Sequence, residues 1–114
     1  MKHIPKFIDK YGYGGAYEYI HPYKQKDVKT VEKEIKDDVE AIIVFGSSIK
    51  DTCRPNSDID MCIIGNIKNI NISKNIEVDI LSYPSVSILK EVAQNPWYSI
   101  EKEIWNKGVV IYAR

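Results

Sequence analysis

Three aspartates in the middle of the chain have a spacing that suits metal-ion chemistry. Asp58 and Asp60 are two positions apart in an alternating segment, and Asp79 interrupts the apolar residues of the next such segment. Residues two apart on a strand share a face with Cα atoms about 6.6 Å apart, so the two carboxylates can converge on divalent cations. Pairing of the two segments in the matching register brings Asp79 to the same place. The spacing therefore predicts a site for Mg²⁺ or Mn²⁺, ions that prefer hard oxygen ligands.

A glycine and a serine upstream of these acids predict a phosphate site. Gly46 and Ser47 follow the continuous apolar run 41–45. Glycine lets the backbone approach a ligand closely, and hydroxyl and amide groups at the next turn suit phosphate oxygens. Taken alone, Gly46-Ser47 is also compatible with an ordinary turn, and Asp58 and Asp60 are compatible with solvated charges at a strand edge. Two carboxylates 4 Å apart, however, repel by about 4 kcal/mol at an effective dielectric constant near 20, so the combination favours a cation-binding site.

Hydrophobic periodicity predicts the elements that must position these groups. They are a helix over 24–39 with a stripe of Val28, Val31, Ile35 and Val39, strands over 41–45, 58–64 and 76–81, helices over 85–93 and 97–107, and a strand over 109–112. Trp97 and Trp105, eight residues apart on one face of the last helix, are predicted to be core residues. This order predicts an α/β fold in which a small mixed β-sheet is packed with helices.

Length and composition limit the classes of function. The 114 residues predict a single domain, and 44% hydrophobic with 28% charged residues are typical of a globular chain rather than a disordered one. A net charge of zero does not favour nucleic acid as a partner, and no apolar run is long enough for a membrane span. Cys53 and Cys62, with no histidine nearby, indicate reduced thiols, so we expect a cytoplasmic protein.

The combined motifs resemble those of a known family. Gly46-Ser47, ten further residues and Asp58-x-Asp60 reproduce the G-S-x10-D-x-D signature of the minimal nucleotidyltransferases in the DNA-polymerase-β-like superfamily. Residues 54–60 are similar to that family's R-P-[DN]-S-D-[IL]-D phrase. Asp79 matches its third carboxylate, and residues 108–112 are similar to its usual ending. The resemblance covers residues 27–114 and implies the polymerase-β-like nucleotidyltransferase fold.

The resemblance also implies a reaction and roles. A nucleoside monophosphate, most often AMP from ATP but in principle from another nucleoside triphosphate, passes to an acceptor hydroxyl. Asp58 and Asp60 would bridge two Mg²⁺ or Mn²⁺ ions, and Asp79 would bind the second ion and take the proton of the hydroxyl. Gly46, Ser47 and Ser48 would hold the β and γ phosphates. Lys50 would replace one of the basic residues that family members carry after Gly-Ser.

The acceptor implied by the resemblance is a partner protein, commonly a helical RNase toxin of the HEPN type whose antitoxin is the nucleotidyltransferase. The family-like core runs to the last residue, so we expect a separate chain to bring the acceptor. The tyrosine-rich extension 1–26 either docks that partner or covers the sheet. Two alternatives stay open: a transferase for aminoglycoside-like small molecules with its acceptor site at a homodimer interface, and a nucleotide-binding or toxin-sequestering module without turnover.

Overall fold

The computed structural model describes residues 16–68 and 70–114 of the chain. Their elements are a 3-10 helix Ala16–Tyr19, helix α1 (Pro22–Ile35), a 3-10 helix Lys36–Asp38, strand β1 (Ala41–Phe45), a 3-10 helix Gly46–Ile49, strands β2 (Ile59–Ile64) and β3 (Val78–Tyr83), helices α2 (Val86–Ala93) and α3 (Ser99–Lys107), and strand β4 (Val109–Ala113). This order confirms the predicted small α/β fold.

The four strands form one mixed sheet in the order β3-β2-β1-β4. Strand β1 runs antiparallel to both β2 and β4, whereas β2 and β3 are parallel. A parallel pair needs a crossover connection, which residues 65–77 supply. Because the pair is parallel, the amino ends of β2 and β3 meet at the same edge of the sheet.

Helix α1 covers one face of the sheet with the stripe that its sequence predicts. Val28, Val31 and Ile35 are fully buried and pack in one cluster with Ile42 of β1 and Met61 of β2. The helix ends at Ile35 rather than at the predicted residue 39, because the chain tightens into a 3-10 helix there. Val39 is still buried in the same cluster, so the apolar stripe continues beyond the end of the helix.

Helices α2 and α3 cover part of the opposite face, where Leu89 and Ile104 pack against Ile43 of β1. The hydroxyl of Ser85 caps α2 by accepting a hydrogen bond from the backbone N–H of Ile88 at 3.2 Å. None of the helices in the described part of the chain is long and apolar enough to cross a membrane.

The prediction that Trp97 belongs to the core is wrong. Helix α3 begins at Ser99, so Trp97 lies in the turn before it and is 87% exposed. Ile100 is also exposed, whereas Ile104 is buried in the core. Trp105 packs, half-buried, against the cluster on this side of the sheet. The eight-residue spacing was informative only if both tryptophans stood on one helix.

The predicted boundary between an extension and a core at residue 26 falls inside α1. Ile20 is buried in the α1-side cluster, and the backbone N–H of His21 donates to the carbonyl of Ser48 at 2.7 Å. Tyr19 and Tyr23 are about half exposed, at 45% and 56%, which does not favour a role in covering the sheet. The glycine- and tyrosine-rich residues 1–15 lie outside the described residues.

Candidate functional site

The register of the parallel pair places two of the three predicted acids side by side. Asp60 of β2 is the partner of Asp79 of β3. Both lie on the face that also carries Cys62 and Leu81, which belongs to the α2 and α3 side of the sheet. Asp60 is half-buried and Asp79 is exposed. The two carboxylates therefore stand at a solvent-accessible edge of that face.

The turn after β1 closes directly over Asp60. Phe45 is the cross-strand partner of Asp60, and Gly46 follows with φ at +65°. A Cβ atom on Gly46 would come within 2.9 Å of Cγ of Asp60 and overlap its carboxylate oxygen, so only glycine permits both the conformation and the approach. The backbone N–H of Ser47 donates to Oδ2 of Asp60 at 3.3 Å. This amide points at the carboxylate of Asp60 and is engaged by it.

Ser48 has a contact that differs from its predicted one. Its side chain is fully buried, and its hydroxyl accepts a hydrogen bond from the backbone N–H of Asp60 at 3.3 Å. A hydroxyl without exposed surface cannot reach a phosphate in this conformation. We therefore assign Ser48 to fixing the start of β2 rather than to binding the triphosphate.

A closed turn explains why the segment before Asp58 has its particular residues. The N–H of Ser57 donates to the carbonyl of Arg54 at 3.1 Å, and the hydroxyl of Ser57 accepts from the N–H of Arg54 at 3.2 Å. Pro55 occupies the second position of this four-residue turn, where its fixed φ is favourable. Asp58 follows immediately, exposed and one residue before β2. The turn thus places Asp58 near enough to Asp60 for its charge to raise the pKa of Asp60.

Charge is the property that distinguishes this edge. Burial raises the pKa of Asp60 above its ordinary value, the neighbouring charges of Asp79 and Asp58 raise it further, and the hydrogen bonds from Ser47 oppose them. Like charges that each disfavour the ionised form of the other are stabilised by a cation between them. A bound cation would therefore stabilise the ionised carboxylates of Asp58, Asp60 and Asp79.

The donor chemistry fits a hard divalent cation, although the acids are not a closed ligand cluster. In residues 16–68 and 70–114, no three carboxylate, imidazole or thiol groups are arranged so that they could hold a metal ion together. Asp58 and Asp79 are exposed, so their carboxylates can turn toward Asp60 without losing a core contact. Carboxylate oxygens are ligands that Mg²⁺ and Mn²⁺ accept.

Lys50 lies just after the glycine turn but is engaged elsewhere. Its ammonium forms an ion pair with Glu103 of α3 at 2.8 Å. The pair is largely exposed, and such pairs are worth about 0–1 kcal/mol, so a phosphate could compete with Glu103 for the lysine. Its predicted phosphate contact stays a prediction.

One residue beside the site escaped the sequence reasoning. Lys24, at the start of α1, is buried, with 4% of its surface exposed, and its ammonium donates to the carbonyl of Pro55 at 3.2 Å and to that of Ser57. A signal existed, because position 24 extends the apolar stripe of Val28, Val31 and Ile35 by one step of four. A lysine on the buried face of a helix is rare unless its charge has partners.

Comparison with known proteins agrees with this geometry. The search of curated proteins and the search of solved structures each found no match. A scan against protein-family models matches the family described as Polymerase beta, Nucleotidyltransferase over residues 26–114. The match includes the glycine turn, all three acids and every strand of the sheet. With more than half of its length covered, the chain belongs to the polymerase β nucleotidyltransferase family.

Proposed function

We propose that this nucleotidyltransferase uses Mg²⁺ or Mn²⁺ to move a nucleoside monophosphate, with ATP as the first candidate donor, onto an acceptor hydroxyl. The observation that carries the proposal is the register that sets Asp60 beside Asp79 under the Gly46 turn. In the reaction, the acceptor oxygen forms a bond to the α-phosphorus. The bond between the α-phosphorus and its bridging oxygen breaks, and pyrophosphate leaves.

The chain's own residues have separate tasks in this proposal. Asp58, Asp60 and Asp79 hold the cations, and Asp79, the exposed member in β3, takes the proton of the acceptor hydroxyl. The amide of Ser47 donates to a phosphate oxygen in place of Asp60, and the absence of a side chain at Gly46 lets the triphosphate come close. When bound, the cations neutralise the triphosphate and lower the pKa of the acceptor hydroxyl.

The acceptor in our proposal is a tyrosine, serine or threonine hydroxyl of a partner protein. The resemblance to minimal nucleotidyltransferases supports a helical HEPN-type RNase toxin in that role, with this chain as its antitoxin. The exposed aromatic side chains of Tyr19 and Tyr23 support a contact surface at the amino-terminal side, since tyrosine supplies contact area at low entropy cost. The competing candidates are an aminoglycoside-like small molecule bound at a dimer interface and a module that binds nucleotide without turnover.

Intact-mass spectrometry tests this function. The chain is incubated with ATP, Mg²⁺ and a HEPN-type partner, and we expect the partner to gain one nucleoside monophosphate. Omission of the metal, Asp60→Asn and Asp79→Asn serve as controls and should leave the partner unmodified. Modification of an added aminoglycoside with an unmodified partner supports the small-molecule alternative, whereas metal-dependent binding of ATP without any product supports the non-catalytic module.

A shortened chain tests the docking role of the amino-terminal segment. A chain that begins at residue 16 keeps Ile20 and α1, which the core requires, and removes Tyr11 and Tyr13. We expect partner modification to fall while the melting temperature stays near that of the full chain. Full modification by the shortened chain contradicts docking by residues 1–15.

A further inference from the structure

Lys24 is a buried charge that the reaction proposed above does not use. It stands in the first turn of α1 with its side chain inside the protein, in line with the stripe that packs on the sheet. Its ammonium donates to two backbone carbonyls, those of Pro55 and Ser57. Among the residues that the structure describes, no carboxylate pairs with it. The partners of this charge are therefore the peptide groups of one turn.

The stability of the core does not account for a lysine at this position. Removing an ammonium from water is unfavourable, and its hydrogen bonds must offset that cost. An apolar side chain of similar volume often stabilises a buried position as well or better. Hydrogen bonds from a charged donor are about twice as strong as neutral ones. The arrangement is thus better suited to holding the turn in place than to filling the space under α1.

One of the two carbonyls that accept from Lys24, that of Ser57, belongs to the peptide group that joins Ser57 to Asp58. The oxygen of Ser57 and the nitrogen of Asp58 are parts of one planar group, so fixing that oxygen fixes the plane from which Asp58 projects. The backbone after Asp58 is also held in place, because the N–H of Ile59 donates to the carbonyl of Glu77 at 3.0 Å. Asp58 lies between these two attachments, although its own side chain is exposed.

We propose that Lys24 is a positioning residue that orients Asp58 for cation binding by holding the peptide between Ser57 and Asp58. The hydrogen bonds from Lys24 support its role in holding the turn. The effect on cation binding rests on the proposed function. Lys24 touches neither the cations nor the nucleotide in this account. Its loss loosens the turn of residues 54–57, widens the range of orientations open to Asp58 and weakens the cation site.

Two readouts on full-length protein test this role. The variants are Lys24→Met, which keeps the length of the stem without donors, Lys24→Arg, which keeps donors, and Lys33→Met as a control on the exposed side of the same helix. The first readout is the Mg²⁺ concentration for half-maximal transfer from ATP. The second is hydrogen–deuterium exchange of amides 54–59 without nucleotide or metal.

We expect Lys24→Met to raise the half-maximal Mg²⁺ concentration about tenfold or more, the usual effect of removing a partner that orients a ligand. Exchange should become faster at amides 54–59, Lys24→Arg should recover most of both effects, and Lys33→Met should match the wild type. Ser57→Ala, which removes the hydroxyl that closes the turn, should shift the Mg²⁺ dependence in the same direction and keeps the test decisive if Lys24→Met folds poorly.

Wild-type Mg²⁺ dependence in Lys24→Met, or in Ser57→Ala when the first variant does not fold, overturns the inference. Unchanged exchange at amides 54–59 in folded Lys24→Met overturns it as well. A wild-type chain without any metal-dependent transfer contradicts the proposed function instead, and the exchange readout then separately decides whether Lys24 holds the turn.

Discussion

The two ends of the parallel β2–β3 pair differ in how their polar groups are compensated. At the amino end, Asp60 and Asp79 stand side by side, and the charges of Asp79 and Asp58 raise the pKa of Asp60. At the carboxyl end, the hydroxyl of Tyr83 donates to the carboxylate of Glu101. The carbonyl of Tyr83 accepts from the N–H of Gly65 at 2.9 Å. One end is left with surplus negative charge, and the other has its polar groups paired.

The paired end also has a concave region. An open cavity of about 630 Å³ at the carboxyl ends of β2 and β3 is lined by Gly65, Asn66, Ile67, Lys68, Ser82, Tyr83 and Pro84. Its volume would direct attention there, since small-molecule sites are commonly clefts of about 300–1,000 Å³. Neighbouring carboxylates beside a glycine turn point to the other end, because like charges that raise each other's pKa favour a bound cation. We expect charge to be the better guide in this protein.

The largest expected effect of a substitution is at the acids. Asp60→Ala and Asp79→Ala should each reduce nucleotidyl transfer to background, because each removes a cation ligand. Asp60→Asn should do the same and keep or slightly raise the melting temperature without metal, since it relieves repulsion between carboxylates. Transfer assays and thermal unfolding on the same preparations check both halves. Wild-type transfer by Asp79→Ala, or a large loss of stability in Asp60→Asn, contradicts the assignment.

A matched pair of glycines separates strain from function. Gly46 and Gly65 both have positive φ, at 65° and 129°, but only Gly46 lies against Asp60. Each change to alanine should cost about 1 kcal/mol or more in the free energy of unfolding. Gly46→Ala should also lower transfer at least about tenfold by displacing the Asp60 carboxylate, whereas Gly65→Ala should leave transfer per folded molecule unchanged. Equal losses of transfer in both variants would contradict the assignment of the transfer site to the Gly46 end of the strand pair.

Tyr83→Phe tests the paired end. Loss of the hydroxyl should lower the free energy of unfolding by about 1 kcal/mol and leave transfer unchanged. Burial, followed by the contact with Glu101, raises the pKa of Tyr83 above its usual range, and the nearby Cys62 adds to the shift.

This shift has a signed consequence for the dependence of stability on pH. Tyrosines of the unfolded chain ionise near pH 10, while folded Tyr83 stays neutral, so the unfolded state releases its proton first. The contribution of Tyr83 is complete below about pH 10 and is lost as the pH rises through its higher folded value. Denaturant unfolding should show a steeper decline above pH 10 in the wild type than in Tyr83→Phe, and parallel declines would contradict the pKa shift.

The smallest effect concerns Lys50 and Glu103. As an exposed ion pair they should contribute about 1 kcal/mol or less, so Lys50→Ala and Glu103→Ala should lower stability equally and slightly. If Lys50 also binds a phosphate, Lys50→Ala raises the KM for ATP and Glu103→Ala does not. Steady-state kinetics of both variants decides between the two roles of the lysine.

Much of the site was predictable because it depends on local patterns. The alternation around Asp60 and Asp79 fixes their faces, and the run 41–45 fixes the strand that ends at the glycine turn. What the sequence could not reveal depends on contacts between distant segments. The burial of Lys24 requires knowing that residues 55–57 lie over α1, and the exposure of Trp97 requires knowing that α3 begins two residues later. The hydroxyl of Ser48 looked available until the packing behind β2 was known.

Calorimetric titration with a non-hydrolysable ATP analogue tests the central claim most directly. The claim is that the negative charge of Asp58, Asp60 and Asp79 forms a cation-dependent nucleotide site. The account predicts binding by the wild type only with Mg²⁺ or Mn²⁺, loss of binding in Asp60→Asn, and unchanged binding in Tyr83→Phe at the other end of the strand pair. Equal affinity with and without the divalent cation, or wild-type affinity in Asp60→Asn, would contradict it.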